Sequence, residues 1–302
     1  MDSLLTIFSI LAPLFAGYFI RVPKPWLRAA DKLLGMLIYL ILALIGVSLS
    51  QVADLGRQMG FILMTAGLLF ACVVGMNMLV LVWFDRRFPW QVQAAQGGRK
   101  SRPGTAGSVK QIACMLSGVV FGLMFRDIWL PHEHSGSYVL MLLMFLVGIQ
   151  LGGNGIKLHN VLINKRGVQT ALLGTAATLA GGLLFALLMP DVAWSKGLAM
   201  ASGFGWYSLS GIIMTEAYGA VWGSIALVND LAREFFALLF IPSLMRRYPA
   251  AAVNAGGATS LDFTLPVIRS AGGLPVVPLA VSYGFIVNLA APFLMVMFSS
   301  IK

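Results

Sequence analysis

Charge is scarce in this chain of 302 residues. Asp, Glu, Lys and Arg together make up 11%, against about 25% in soluble domains. With 59% hydrophobic residues, that shortage excludes an ordinary soluble protein and leaves an integral membrane protein in a lipid bilayer. Cysteine is nearly missing. Cys72 and Cys114 lie in apolar stretches with no CxxC or Cys/His spacing, so neither a disulfide framework nor a cysteine metal centre is expected. Histidine is equally sparse. His132-Glu133-His134 occupies a short polar loop, His159 stands apart, and none lies in an apolar run. Ser208 and Ser210 therefore have no imidazole to activate them, which argues against an enzyme. No metal or cofactor is expected. Met1-Asp2-Ser3 lacks a basic leader, so Leu4–Ile20 reads as a retained first span. The net charge of +10 comes without a basic, aromatic-interleaved surface segment. It is explained by positive loops on one side of a membrane, not by nucleic acid.

What the chain has is long apolar runs: Leu4–Ile20, Leu33–Val52, Gly60–Phe84, Ile112–Phe125, Tyr138–Leu151, Gly167–Leu188, Ala220–Leu244 and Leu274–Phe298. About 20 apolar residues span a bilayer. The run at 37–49 resembles the one at 139–151, with Gly46 and Gly148 in matching settings. These are spans two and five. A repeat displaced by three spans crosses in the opposite direction, an inverted repeat of the kind secondary transporters use. Residues 1–190 then form a scaffold of two three-helix repeats, joined by a Gly-, Arg- and Lys-rich cytoplasmic linker near 85–110.

Residues 195–302 read as a transport region. Two segments, Gly197–Ala217 and Ala255–Ser270, are apolar at their ends and polar and glycine-rich in the middle. Each precedes a long helix with a Val-Asn pair, Val228-Asn229 and Val287-Asn288. Such paired interruptions mark a transport site, because unwound backbone is tolerated at membrane depth where it lines a cavity. Two kinked helices packed by small residues are the alternative. With both segments re-entrant and both termini outside, 16 of the 21 Lys and Arg residues fall inside, including Arg86, Arg87, Arg166, Arg246 and Arg247. This is the positive-inside pattern. The expected fold is all-α and polytopic, with about eight transmembrane helices plus two re-entrant or broken segments. Ten spans with two broken, crossing helices is the alternative.

The densest chemistry is Val228-Asn229-Asp230-Leu231-Ala232-Arg233-Glu234, three charges and an amide within an apolar run. Each intramembrane charge costs roughly 2.5–3.5 kcal/mol or more. Asp230 and Glu234, four apart, share a helix face, with Arg233 beside them. A cation or proton site and a buried ion pair that fixes packing are both compatible with this pattern.

Three of these motifs together resemble the bacterial lysine exporter family: Gly203-Phe204-Gly205-Trp206-Tyr207-Ser208-Leu209-Ser210-Gly211, Asn229-Asp230-Leu231-Ala232-Arg233-Glu234, and Gly257-Ala258-Thr259-Ser260-Leu261-Asp262-Phe263-Thr264-Leu265-Pro266. The Leu-Val-Gly-Ile-Gln-Leu run at 146–151 fits as well. The resemblance covers nearly the whole chain and is weakest at 85–110. It implies an inner-membrane exporter of L-lysine and of toxic analogues such as thialysine, working by proton exchange through intramembrane acids. Carried over by motif, the acids are Glu234, Asp230 and Asp262, with Asp54 near the end of span two. The residues themselves are compatible with that substrate. Lysine offers two ammonium groups to the acids and a carboxylate to backbone N–H groups at half-helix starts. Tyr207, Ser208, Ser210, Thr264, Asn229 and Asn288 supply further hydrogen bonds, and Trp206 a ring face or apolar wall. An ion-coupled carrier of another amino or carboxylic acid is the rival reading. The sequence leaves open a homo-oligomer.

Overall fold

The computed structural model describes residues 12–20, 22–50, 55–90, 105–125, 135–153 and 164–301. Asp54, His132, His134, His159 and most of the 85–110 linker lie outside them. Among the described residues there is helix and no strand. The helices are α1 (Lys24–Ser50), α2 (Leu55–Arg87), α3 (Thr105–Met124), α4 (Ser135–Gly153), α5 (Lys165–Leu188), α6 (Trp194–Ala201), α7 (Tyr207–Tyr218), α8 (Ala220–Leu244), α9 (Pro249–Gly256), α10 (Leu265–Gly272) and α11 (Val277–Ser299). Residues 12–19 are also helical.

Length and apolarity make four stretches able to cross a membrane: Pro25–Ser50, Gln58–Arg87, Lys165–Leu188 and Leu274–Ser299. The 25-residue α8 is equally long, but carries Asp230, Arg233 and Glu234, all buried. Helix α8 therefore buries its charged middle within the protein, while Leu239 and Phe240 further along are exposed. Ala113–Met124 and Met141–Gln150 are shorter apolar helices.

Side-chain contacts fix the helix directions. Asp85, near the end of α2, meets Arg166, at the start of α5, with Nη2 to Oδ1 at 2.8 Å. Further along, Cys72 and Val73 of α2 abut Gly181 of α5. These two helices are antiparallel. Phe61 packs edge-on against Trp222, and Phe70 against Phe236, so α2 and α8 run parallel. One end of this group carries Arg86, Arg87, Arg166, Arg246 and Arg247; we call it the basic end.

Both interrupted segments double back. Helix α6 starts where α7 finishes, because the Lys196 ammonium lies 3.4 Å from the centroid of the Trp222 ring and 4.8 Å from that of Tyr218. This is the end opposite the basic one. Helix α9 starts at the basic end, where the Ala251 N–H donates to Asp85 Oδ2 at 3.1 Å. Helix α10 finishes there too, with Gly272 against Met245. The two hairpins thus enter from opposite ends. Their tips meet midway, where the Ala258 N–H donates to the Phe204 carbonyl at 2.9 Å.

In the first half, tight backbone contacts use glycine. Gly17 and Gly148 bring residues 12–19 against α4, and Gly46 and Gly118 bring α1 against α3. Any Cβ at these positions would strike a carbonyl of the neighbouring helix. Such small-residue contacts are how helices approach closely in a membrane, where lipid offers no hydrophobic drive between them.

Asp85 joins three helices: its two oxygens accept from Arg166 on α5 and from the first turn of α9. Its side chain is fully buried, whereas that of Arg166 is 23% exposed. Asp85→Ala is expected to lose roughly 3 kcal/mol, the low end for orphaning a buried charge because Arg166 retains some solvent. The melting temperature of the purified protein should fall accordingly, and Asp85→Ala with Arg166→Leu should regain part of the loss. An unchanged melting temperature in the single variant would contradict this anchoring.

Candidate functional site

The tip of the first hairpin, residues 202–206, cannot continue as helix. Phe204 has φ 51° and Gly205 φ 83°. A bulky residue in the left-handed region is an outlier that its surroundings must hold in place. Asp230 on α8 does the holding. Its Oδ1 accepts from the Gly205 N–H at 3.1 Å and from Asn229 Nδ2 at 3.0 Å. Its Oδ2 lies against Gly203, where a side chain would collide with it. The Ser210 hydroxyl donates to the Tyr207 carbonyl at 3.4 Å, closing the first turn of α7.

The second tip is held in the same manner from α11. Asn288 Nδ2 donates to the Ala258 carbonyl at 2.6 Å and to the Gly284 carbonyl at 2.7 Å. Within the tip, the Ser260 hydroxyl donates to the Val253 carbonyl at 2.6 Å and the Thr259 hydroxyl to the Gly256 carbonyl at 2.7 Å. Thr264 is buried and 3.4 Å from Thr259, oxygen to oxygen. Asp262 accepts from the neighbouring Phe263 N–H.

Arg233 underlies both tips. Its stem lies beside Gly205, its Nε faces Gly257, and its Nη2 donates to the Asn254 carbonyl at 2.8 Å. Asn254 extends this into a buried polar chain. Its Nδ2 donates to Asn77 Oδ1 at 2.9 Å, and its Oδ1 accepts from the Tyr283 hydroxyl at 2.9 Å. Asn77 in turn donates to the Thr178 hydroxyl at 2.9 Å. A buried polar group without a partner is strongly destabilising, so this chain fixes four helices around α9.

Beside the joined tips is a cavity of about 240 Å³. Gly205, Trp206, Tyr207 and Ser208 form one wall, with Thr259, Leu261, Asp262 and Phe263 on another. Glu234 and Asn288 supply polar groups, and Leu34, Val147 and Gln150 close it from the first half. Six residues expected from sequence therefore line it: Glu234, Asp262, Trp206, Tyr207, Ser208 and Asn288. Four others, Asp230, Asn229, Ser210 and Thr264, stand behind the wall and hold the tips. Asp54 lies outside the described residues. Asp230 and Glu234 share a helix face as expected, but Gly205 occupies Asp230, and Glu234 alone of the two reaches the cavity.

Sequence reasoning missed Gln150, Asn254 and the tip-joining role of Arg233. Gln150 is the lone amide in the apolar run 139–151, a signal present in the sequence. Asn254 sits among alanines without a motif, so its role as a hub appears only in three dimensions.

Comparison with known proteins gives one consistent result. A family model described as "Lysine exporter LysO" matches residues 112–299. The chain is 40% identical over 293 residues to a protein of Escherichia coli (strain K12) named "Lysine exporter LysO", covering 96% of this chain and 98% of the relative. It is 47% identical over 193 residues to a "Putative lysine exporter" of Haemophilus influenzae (strain ATCC 51907 / DSM 11121 / KW20 / Rd), covering 63% of this chain and 96% of that relative. No solved structure matches the chain.

Gly257 has φ 58°, and a Cβ there would strike the Phe204 carbonyl. Gly257→Ala should therefore separate the tips. With cysteines at 204 and 258, oxidation is expected to form a disulfide readily in the parent chain and at least fivefold less in Gly257→Ala. Gly67→Ala, whose Cβ meets open space, should leave the yield unchanged. Equal yields in all three would contradict the tip contact.

Proposed function

The chain belongs to the lysine exporter family, and from that premise we propose that it carries L-lysine, and toxic analogues such as thialysine, out of the cytoplasm in exchange for protons. It is a transporter with the apolar helices of a multi-pass inner-membrane protein. The observation that carries the substrate assignment is the cavity, in which two carboxylates, Glu234 and Asp262, stand with the start of α7. The first N–H groups of a helix have no partner within it and carry the positive end of its dipole. Lysine has the complementary pattern, two ammonium groups and one carboxylate. Asn288, Ser208 and Tyr207 add hydrogen-bonding groups, and Trp206, Leu261 and Phe263 an apolar lining for the aliphatic stem.

In this reading α1, α2, α5, α8 and α11, with residues 12–19, α3 and α4, make eight spans, and the two hairpins enter without crossing. The basic end is cytoplasmic, since Lys and Arg accumulate in cytoplasmic loops, and both termini are outside. The matching glycine contacts support an inverted repeat. Gly17 with Gly148 and Gly118 with Gly46 each join the first helix of one three-helix unit to the second helix of the other. The exposed Asp262 and Phe263, on a hairpin rooted at the basic end, favour a cavity loaded from the cytoplasm. The two hairpins with α8 and α11 then move against the first half.

Coupling follows from competition. A carboxylate that lines the cavity can bind a proton or a substrate ammonium, but not both at once. Glu234 holds a proton when the cavity is empty and lysine when it is loaded, so outward transfer of lysine is paired with inward transfer of a proton.

Vesicles loaded with L-lysine should release it down an imposed proton gradient, whereas a loaded dicarboxylate such as succinate should be retained. Release of succinate instead of lysine would favour an ion-coupled carboxylate carrier. Glu234→Gln should remain folded and still bind lysine, with gradient-driven export reduced at least tenfold. Normal pH-driven export by that variant would move the coupling role to Asp262 or Asp230. In intact cells, a cysteine at 134 should react with an impermeant reagent and one at 98 should not. Labelling at 98 would overturn the orientation.

A further inference from the structure

At the end opposite the basic one, far from the Glu234 cavity, a second cation environment is built from rings. Lys196 rises from the first arm of the first hairpin, and its ammonium lies 3.4 Å from the ring centroid of Trp222 and 4.8 Å from that of Tyr218. Tyr218 ends the second arm of the same hairpin and Trp222 belongs to α8. Phe61 of α2 backs the Trp222 ring edge-on, with centroids 6.1 Å apart. The Tyr218 hydroxyl is buried with no hydrogen-bond partner. A buried hydroxyl in that state is an acceptor waiting for a donor. Ring faces attract an ammonium through their quadrupole, most strongly when it is partly desolvated.

The group held here is a primary alkylammonium. It is the same chemical group that the proposed substrate carries at the end of its side chain. We propose that Tyr218 and Trp222 form an ammonium site on the exit side, occupied in this conformation by Lys196 as a tethered stand-in. A departing primary alkylammonium displaces Lys196, takes the ring faces and donates to the Tyr218 hydroxyl. Because Lys196 returns by an intramolecular step, it clears the exit site at a high effective concentration. The exit role rests on the lysine-export reading; the ring site itself rests only on the geometry.

Lys196→Cys in a chain with Cys72 and Cys114 replaced by Ala empties the site and reports on it. In purified full-length protein, n-butylammonium should slow maleimide labelling of position 196 at least threefold, and L-lysine should act likewise. Uncharged n-butanol should not. Adding Trp222→Leu should abolish the protection, and Tyr218→Phe should weaken it. Should Lys196→Cys fail to fold, Lys196→Met supplies the second reading, an n-butylammonium-dependent rise in melting temperature that Trp222→Leu removes. Labelling unaffected by n-butylammonium, equal protection by n-butanol, or protection that survives Trp222→Leu would each overturn the site. Protection by n-butylammonium in a protein that exports no lysine would keep the ring site and remove the export reading. Intact lysine export with no protection would do the reverse.

Discussion

Unwound backbone buried at membrane depth has to find its hydrogen bonds inside the protein. That constraint organises the second half of this chain. The two hairpin tips use one another, with the Ala258 N–H on the Phe204 carbonyl. They also use the long helices beside them: Asp230 on Gly205, Asn288 on Ala258 and Arg233 on the Asn254 carbonyl. The charged run of α8 is therefore explained twice. Asp230 and Arg233 satisfy backbone, and Glu234 is left to face the cavity.

This division of labour bears on the question that the acidic motif raises. A buried ion pair and a transport site look alike in sequence, because both place opposite charges a turn apart. In the structure the three charges of α8 have different surroundings. Asp85 and Arg166 pair at 2.8 Å at the basic end, while Arg233 donates to a carbonyl of the second hairpin. Arg233 thus stays with the tips, while Glu234 and Asp262 line the cavity.

Much of the architecture was legible beforehand. Long apolar runs marked the long helices, closely for α5, α8 and α11. Helices α1 and α3 begin well before their runs, at Lys24 and Thr105 instead of Leu33 and Ile112, because a helix continues through polar residues beyond its apolar stretch. The glycine- and serine-rich interruptions marked both tips, because those residue types relieve strain and permit close approach. Six of the expected site residues line the cavity for the same reason: tip residues at 206–208 and 262, and one polar group from each long helix. What was hidden is what depends on pairing across distant segments. Asp230, Ser210 and Thr264 look as functional as Glu234 in sequence, yet Asp230 and Ser210 bond backbone and Thr264 lies against Thr259. Asn254 looks like a minor polar residue among alanines, yet it connects Asn77, Tyr283 and Arg233. Aromatic cages likewise have no local signature, since Lys196, Tyr218, Trp222 and Phe61 come from four separate elements.

The central claim is that two hairpin tips from opposite ends jointly form the lysine site. Backbone hydrogen exchange on the unmodified protein tests it most directly, with and without saturating L-lysine and with succinate as control. The account predicts slower exchange at 205–208 and 258–263 together, with L-lysine only. Protection of one tip alone, or unchanged exchange at both, would contradict it.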